Sequence, residues 1–290
     1  MHAYREKSLR GLNVAGFHRV GYTEWGPERS DRTVVCVHGL TRNSHDFDWV
    51  APVLAAQGFR VVCPDVAGRG RSGWLPVAAS YGFPQYLADM TALVARLDVE
   101  RVDWVGTSMG GIIGMMLAAQ PDTPVARLVI NDVGAFIPAT ALQAINAYVS
   151  EQPAFDDVAD VERELRARLT GYAPVTDAQW RRLAEVEARR DDDGRLRLGY
   201  DPAIGAAMAA AGPAKDVDLW PLYDRISCPT LLLRGADSAL LTAGTAREMT
   251  ERGPRAKLVE FAGVGHAPPL MSDDQIAAVR DFLVQGTEHR

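Results

Sequence analysis

Short β-branched, apolar runs alternate with longer helical stretches along most of this chain, and then the alternation stops. The strand-like runs are residues 17–25, 33–38, 59–64, 102–107, 126–132, 229–235 and 257–261; helical patterns occupy 48–57, 84–97, 109–119, 240–252 and 273–285. Alternation of this kind builds an α/β fold around a mainly parallel sheet. The central runs are almost continuously apolar, as strands covered by helices on both faces must be. Between 134 and 225 four helical segments (140–150, 156–169, 177–190 and 202–211) follow one another with no strand run between them. That interval is too long for a loop and reads as a helical cap. Residues 1–133 and 226–290 are thus expected to form the core and 134–225 a lid inserted in it. Gly58, Pro121 and Gly286 stop helices, and Ser272, Asp273 and Asp274 start the last one.

At 290 residues and 47% hydrophobic, the chain buries a large core without staples. Cys36, Cys63 and Cys228 are odd in number and sit in apolar runs, unlike a disulfide framework or the paired spacing of a metal site. They read as reduced core thiols in a cytoplasmic protein. The N-terminal MHAYREKSLRGLN has no apolar signal region, and the strongly apolar stretch at 112–119 is too short to span a bilayer. A net charge of −6 argues against binding nucleic acid; the pairs Arg181-Arg182 and Arg189-Arg190 are followed at once by Asp191, Asp192 and Asp193. The expected partner is a small molecule rather than a membrane or nucleic acid, and a homodimer is left open.

The run VDWVGTSMGGIIGMML sets Gly106-Thr107-Ser108-Met109-Gly110 between an apolar strand and an apolar helix, the context that a Gly-x-Ser-x-Gly elbow requires. A sharp strand-to-helix turn exposes the serine hydroxyl, and the flanking glycines let neighbouring backbone pass close. Serine is a weak nucleophile until a base takes its proton. His266, in FAGVGHAPPL after the last strand, is the candidate base. The N–H groups of Leu40, in the turn after TVVCV, and of Met109 are the candidate oxyanion donors. His38 reads as a turn residue that orders that loop. His2 and His289 are terminal, His18 opens a strand, and His45 is assigned to the pocket lining or the surface.

In order along the chain, VCVHGLT, CPDVAGRGRSG, VGTSMGG, LVINDVG and GVGHAPPL resemble the α/β-hydrolase superfamily. The resemblance implies an eight-stranded sheet with helices on both faces, a cap after the strand that follows the nucleophile helix, and Asp65 to Ser72 as a structural loop. Gly68, Gly70 and Gly73 also match G-x-G-x-x-G, but Trp74 and Pro76 oppose the helix that a dinucleotide site needs. Two carboxylates compete to orient His266. Most family members place the acid after the later strand in Gly-x-x-Asp, where this chain has Ser238, with Asp237 one residue early. Asp132, at the end of LVIND, matches members that carry the acid on the preceding strand and have serine at the Ser238-like position.

The expected activity is cofactor-free and metal-free hydrolysis of a carboxylic ester through an acyl-enzyme at Ser108. Phe136, Tyr148, Trp180, Tyr200, Met208 and Trp220 of the cap, with His45, are expected to form an apolar substrate pocket. Other family chemistries that share a serine triad (carbon–carbon bond, lactone or thioester hydrolysis) are the alternatives, and an inactive ligand receptor is the non-enzymatic one.

Overall fold

A computed structural model of the chain describes residues 4–149 and 151–285. The expectations at His2, Ser150, Gly286 and His289 lie outside them. The main sheet is built from β1 (Arg5–Asn13), β2 (Gly16–Trp25), β3 (Thr33–Val37), β4 (Arg60–Pro64), β5 (Val102–Thr107), β6 (Val125–Asn131), β11 (Thr230–Gly235) and β12 (Lys257–Phe261). Their spatial order is β1-β2-β4-β3-β5-β6-β11-β12; β2 pairs antiparallel with both β1 and β4, and the remaining pairs are parallel. The connections are α1 (Val50–Ala56), α2 (Phe83–Arg96), α3 (Met109–Ala118) and α9 (Ala243–Glu251), with α10 (Asp273–Gln285) last.

The strands divide their side chains strictly between two cores. Val35, Val37, Trp104, Leu128, Ile130 and Leu232 point to the face covered by α2 and α3, where Leu93 and Ile113 meet them. Their neighbours Val34, Cys36, Val105, Val129, Leu231 and Leu233 point to the face covered by α1 and α10, against Leu54 and Val279. Burial on both faces is what demands uninterrupted apolar runs. The chain leaves β3 for β4 on one side and returns to β5 on the other, so β3 and β5 flank the point where strand order reverses. A crevice opens at the carboxyl ends of strands at such a point.

β1 is an addition to the expected strands. Its residues alternate between partial burial and exposure, and charges spread through REKSLRGLN hide the period. Between β6 and β11 the insert comprises β7 (Phe136–Ile137), α4 (Ala139–Val149), α5 (Val158–Arg168), α6 (Asp177–Glu187), β8 (Ala188–Arg190), β9 (Leu196–Leu198), α7 (Ala203–Ala210), β10 (Val217–Asp218) and α8 (Trp220–Tyr223). The expectation that it lacks strands is therefore corrected. β8 and β9 form a hairpin closed by Gly194 at φ 80°, and β7 pairs with β10. Two- and three-residue ladders are too short to show a period of two in sequence.

Candidate active site

β5 delivers Thr107 to the carboxyl edge of the sheet, and the next residue, Ser108, has φ 51° and ψ −112°, strained for a residue with a Cβ. Its N–H donates to Asn131 O at 2.8 Å, while its carbonyl accepts from Gly111 N and Ile112 N and so starts α3. The turn is possible because glycine flanks it. A Cβ on Gly106 would lie 2.2 Å from Gly110 O, and one on Gly110 would lie 2.0 Å from Val37 O.

His266, in the loop between β12 and α10, spans the gap between two strand ends. Its Nε2 lies 3.0 Å from Ser108 Oγ and its Nδ1 2.8 Å from Asp132 Oδ2. Asp132 follows β6, is fully buried and is held at φ 58°. Its Oδ1 accepts from Gly235 N at 2.9 Å and its Oδ2 from Ser238 Oγ at 2.6 Å. With the carboxylate accepting at Nδ1–H, the lone pair of the neutral ring is on Nε2, facing the hydroxyl. Asp237 is exposed, and its N–H donates to Val264 O. Ser238 fills the turn position from which a side chain reaches His266's partner, so of the two candidate acids Asp132 is the one beside the imidazole.

Leu40 follows β3, across the strand-order reversal from Ser108. The carbonyl of Gly39 accepts from His38 Nδ1 at 2.7 Å and from Arg42 N at 3.2 Å. In a trans peptide the N–H points opposite to the carbonyl, so these bonds fix the direction of Leu40 N–H. His38 Nε2 accepts from Val66 N at 2.9 Å, which makes it the unprotonated nitrogen; burial pushes the imidazole pKa down to about 4. His38 is thus a neutral strut. Met109 N–H, in the first turn of α3, is free of an intrahelical acceptor and sits at the positive end of the helix dipole.

Sequence reasoning missed Arg69, which is wholly buried in the loop read as structural. Its guanidinium donates to Leu40 O at 2.8 Å, Ala67 O at 2.7 Å and Tyr86 Oη at 2.9 Å, and touches Met109 Sδ at 3.8 Å. It thereby braces both candidate oxyanion residues from behind. The glycine-rich segment around it starts no helix; Gly70 N donates to Gly199 O and Asp201 N to Gly68 O, tying the loop to the insert.

A cavity of about 210 Å³ opens over Ser108 and His266, with α4 of the insert contributing Ala144, Ile145 and Tyr148. Of the expected pocket residues Tyr148 lines this cavity, while His45, Phe136, Trp180, Tyr200, Met208 and Trp220 lie elsewhere. His45 pairs with Asp48 at 3.0 Å and packs edge-on to Tyr4. Trp180 is buried between Tyr172 and Arg166, Trp220 packs on Tyr223 and Arg252, and Phe136 belongs to the β7–β10 ladder. Phe136, Trp180 and Trp220 of the insert are drawn to its own small cores, while Tyr148 and Tyr172 face the serine beside shorter side chains.

Residues 32–270 match the family model of the alpha/beta hydrolase fold. The chain belongs to the α/β-hydrolase family. This hydrolase is 43% identical over 279 residues, 94% of its own length and 95% of the relative's, to the 3-hydroxybutyrate-oligomer hydrolase of Cupriavidus necator. It superposes on the crystal structure of an α/β-hydrolase from Novosphingobium aromaticivorans with a TM-score of 0.86 at 33% identity, covering 98% of this chain and 99% of the other. A Rickettsia typhi protein gives a TM-score of 0.89 at 31% identity over 98% and 99%. As an enzyme the hydrolase falls in the carboxylic ester class.

Proposed function

We propose that this hydrolase cleaves short esters of the 3-hydroxybutyrate type through a Ser108–His266–Asp132 triad and an acyl-enzyme. The observation that carries the reading is the continuous hydrogen-bonded path from Asp132 Oδ2 through both ring nitrogens of His266 to Ser108 Oγ. His266 Nε2 takes the hydroxyl proton as Oγ bonds to the ester carbonyl carbon. The carbonyl oxygen becomes an oxyanion facing the N–H groups of Leu40 and Met109. The C–O bond to the alcohol then breaks, and the imidazolium returns its proton to that alcohol. Water repeats the sequence on the acyl-enzyme and releases the acid. Ser238, by donating to Asp132, holds the carboxylate in the plane that His266 needs.

Two features support the choice of substrate. The similarity to the Cupriavidus necator oligomer hydrolase extends over nearly the whole of both chains. The cavity is smaller than the roughly 300–1,000 Å³ of pockets that enclose drug-sized ligands, which suits short esters with a small apolar side group. Residues 134–225 act as the cap that closes this space. The test is incubation with the linear dimer and trimer of 3-hydroxybutyrate, with monomer release followed by chromatography, beside labelling by a serine-reactive phosphonate. Monomer release and a label on the Ser108 peptide are expected. A label elsewhere would refute the triad, and a labelled Ser108 with no monomer would refute the substrate.

A further inference from the structure

Although the chain carries a net charge of −6, the charged side chains that line the cavity over Ser108 are basic. Two arginines, Arg42 and Arg168, line it, and among the described residues no Asp or Glu side chain does. Arg42 is 95% buried and Arg168 reaches the cavity from the end of α5. The acids that balance them stand outside the lining: Asp46 at 2.7 Å and Glu187 at 3.2 Å from Arg42, and Glu164 at 2.5 Å from Arg168. Arg168 is further held by the main-chain carbonyls of Tyr148 and Glu151, at 2.9 and 3.3 Å, which anchor its guanidinium beside the cavity.

Beside the two cations lie the phenols of Tyr148 and Tyr172, whose pKa values burial raises, so both remain O–H donors at neutral pH. Tyr148 lies under the Arg168 guanidinium, whose centre is 5.9 Å from the ring. The cavity is therefore divided. Ala141, Ala144, Ile145 and Leu240 make an apolar wall for a small side group, and the Arg42, Tyr148, Arg168 and Tyr172 wall presents guanidinium and phenol groups, with the carboxylates paired to the arginines standing behind the lining. A neutral ester offers that second wall only uncharged carbonyl acceptors. An ester whose other end is a free carboxylate does, and charge-assisted bonds to guanidinium and phenol in a desolvated space are the strong kind.

We infer that the pocket selects anionic esters, taking a free carboxylate on the substrate against the wall formed by Arg168, Tyr148 and Tyr172 beside Arg42 while Ser108 attacks the ester carbonyl. This rests on the reading of Ser108 as nucleophile and names the charge of the substrate that reading requires. A short hydroxy-acid oligomer meets the description, since its chain ends in a carboxylate.

The experiment compares two substrates that differ only in charge: the 3-hydroxybutyrate dimer as free acid and the same dimer with its terminal carboxylate converted to a primary carboxamide. Release of 3-hydroxybutyrate is measured for both by chromatography. The acid is expected to have a kcat/KM about 10- to 100-fold higher, most of the difference in KM. Arg168→Gln should collapse the ratio towards unity and Arg168→Lys should restore part of it. Phosphonate labelling of Ser108 in each variant shows that the fold is intact. Equal turnover of acid and carboxamide, or a ratio unchanged in Arg168→Gln, would overturn the inference. If neither dimer is cleaved although Ser108 is labelled, the hydroxy-acid reading fails separately. The same comparison is then made with the p-nitrophenyl esters of hemiadipate, anionic, and hexanoate, neutral, where a preference for hexanoate overturns the inference and a preference for hemiadipate sustains it.

Discussion

Ser108, His266 and Asp132 lie on three separate strand-end segments; Ser108 and Asp132 have bonds of their own to the scaffold and meet through the His266 ring, so single substitutions separate their parts. Ser108→Ala should abolish p-nitrophenyl ester turnover and leave the thermal midpoint close to that of the parent, since the side chain is only partly buried. Asp132→Asn removes the acceptor for His266 Nδ1 and should lower kcat on the order of 10⁴-fold, by analogy with the serine-protease acid, whereas Asp237→Asn should leave it nearly unchanged. Steady-state kinetics on one ester decides both; comparable losses in the two variants would contradict the assignment of Asp132. That Ser108 and His266 were legible in sequence, and the acid only as a pair of candidates, has a physical cause. An elbow needs a strand, small neighbours and a helix in immediate succession, all of which are local. The choice between Asp132 and Asp237 turns on a single residue of register in a loop, and the side chain that bonds Asp132 there is Ser238, 106 positions away along the chain.

The elements around the elbow pack so closely that backbone meets backbone. α3 crosses β5 at Gly106 and Gly110, and Gly114 lies against the Trp104 indole, where a Cβ would come within 2.4 Å. A methyl at Gly110 would strike the Val37 carbonyl, which cannot give way without moving β3 and the Leu40 turn. Gly110→Ala is therefore expected to destabilise the protein by about 3 kcal/mol and to lower activity in the remaining folded fraction, as read by urea unfolding and active-site titration. A midpoint within experimental error of the parent would show that the turn has slack. Central strands declared themselves in the sequence because both faces are buried. β1 did not, because Glu6, Ser8 and Arg10 are exposed along an edge and only its pairing with β2 makes it a strand. Of the cap residues expected in the pocket only Tyr148 reaches it, for a related reason: which face of α4 looks towards Ser108 depends on how the insert docks, and no local pattern records that.

Across the whole molecule, insert and core are joined by a buried charge cluster in which Glu187, at the end of α6, meets Arg42 and Asn43 of the Leu40 turn. Burial raises the Glu187 carboxyl to about 7 despite the adjacent guanidinium. Between pH 4.5 and 7 the folded chain holds a proton that the unfolded chain has released, so this group's contribution falls as pH rises and is fully lost above 7. Glu187→Gln removes that slope. The variant should match the parent near pH 5 and exceed it by about 1–3 kcal/mol at pH 8, measured by denaturant midpoints at both values. The buried His38 gives a slope of the opposite sign between about 4 and 6.5, common to both proteins, so the difference between them isolates Glu187. Parallel pH curves would refute the coupling.

The ladder of β7 on β10 brings the two ends of the insert side by side just beyond Asp132, with Leu219 N donating to Ala135 O at 2.7 Å. Chain therefore departs from and rejoins the scaffold through one narrow neck. What lies beyond that neck also grips the core where Glu187 meets Arg42, Asp201 N meets Gly68 O and Gly265 N meets Gly171 O, so a change in the insert reaches both the Leu40 turn and the loop that carries His266.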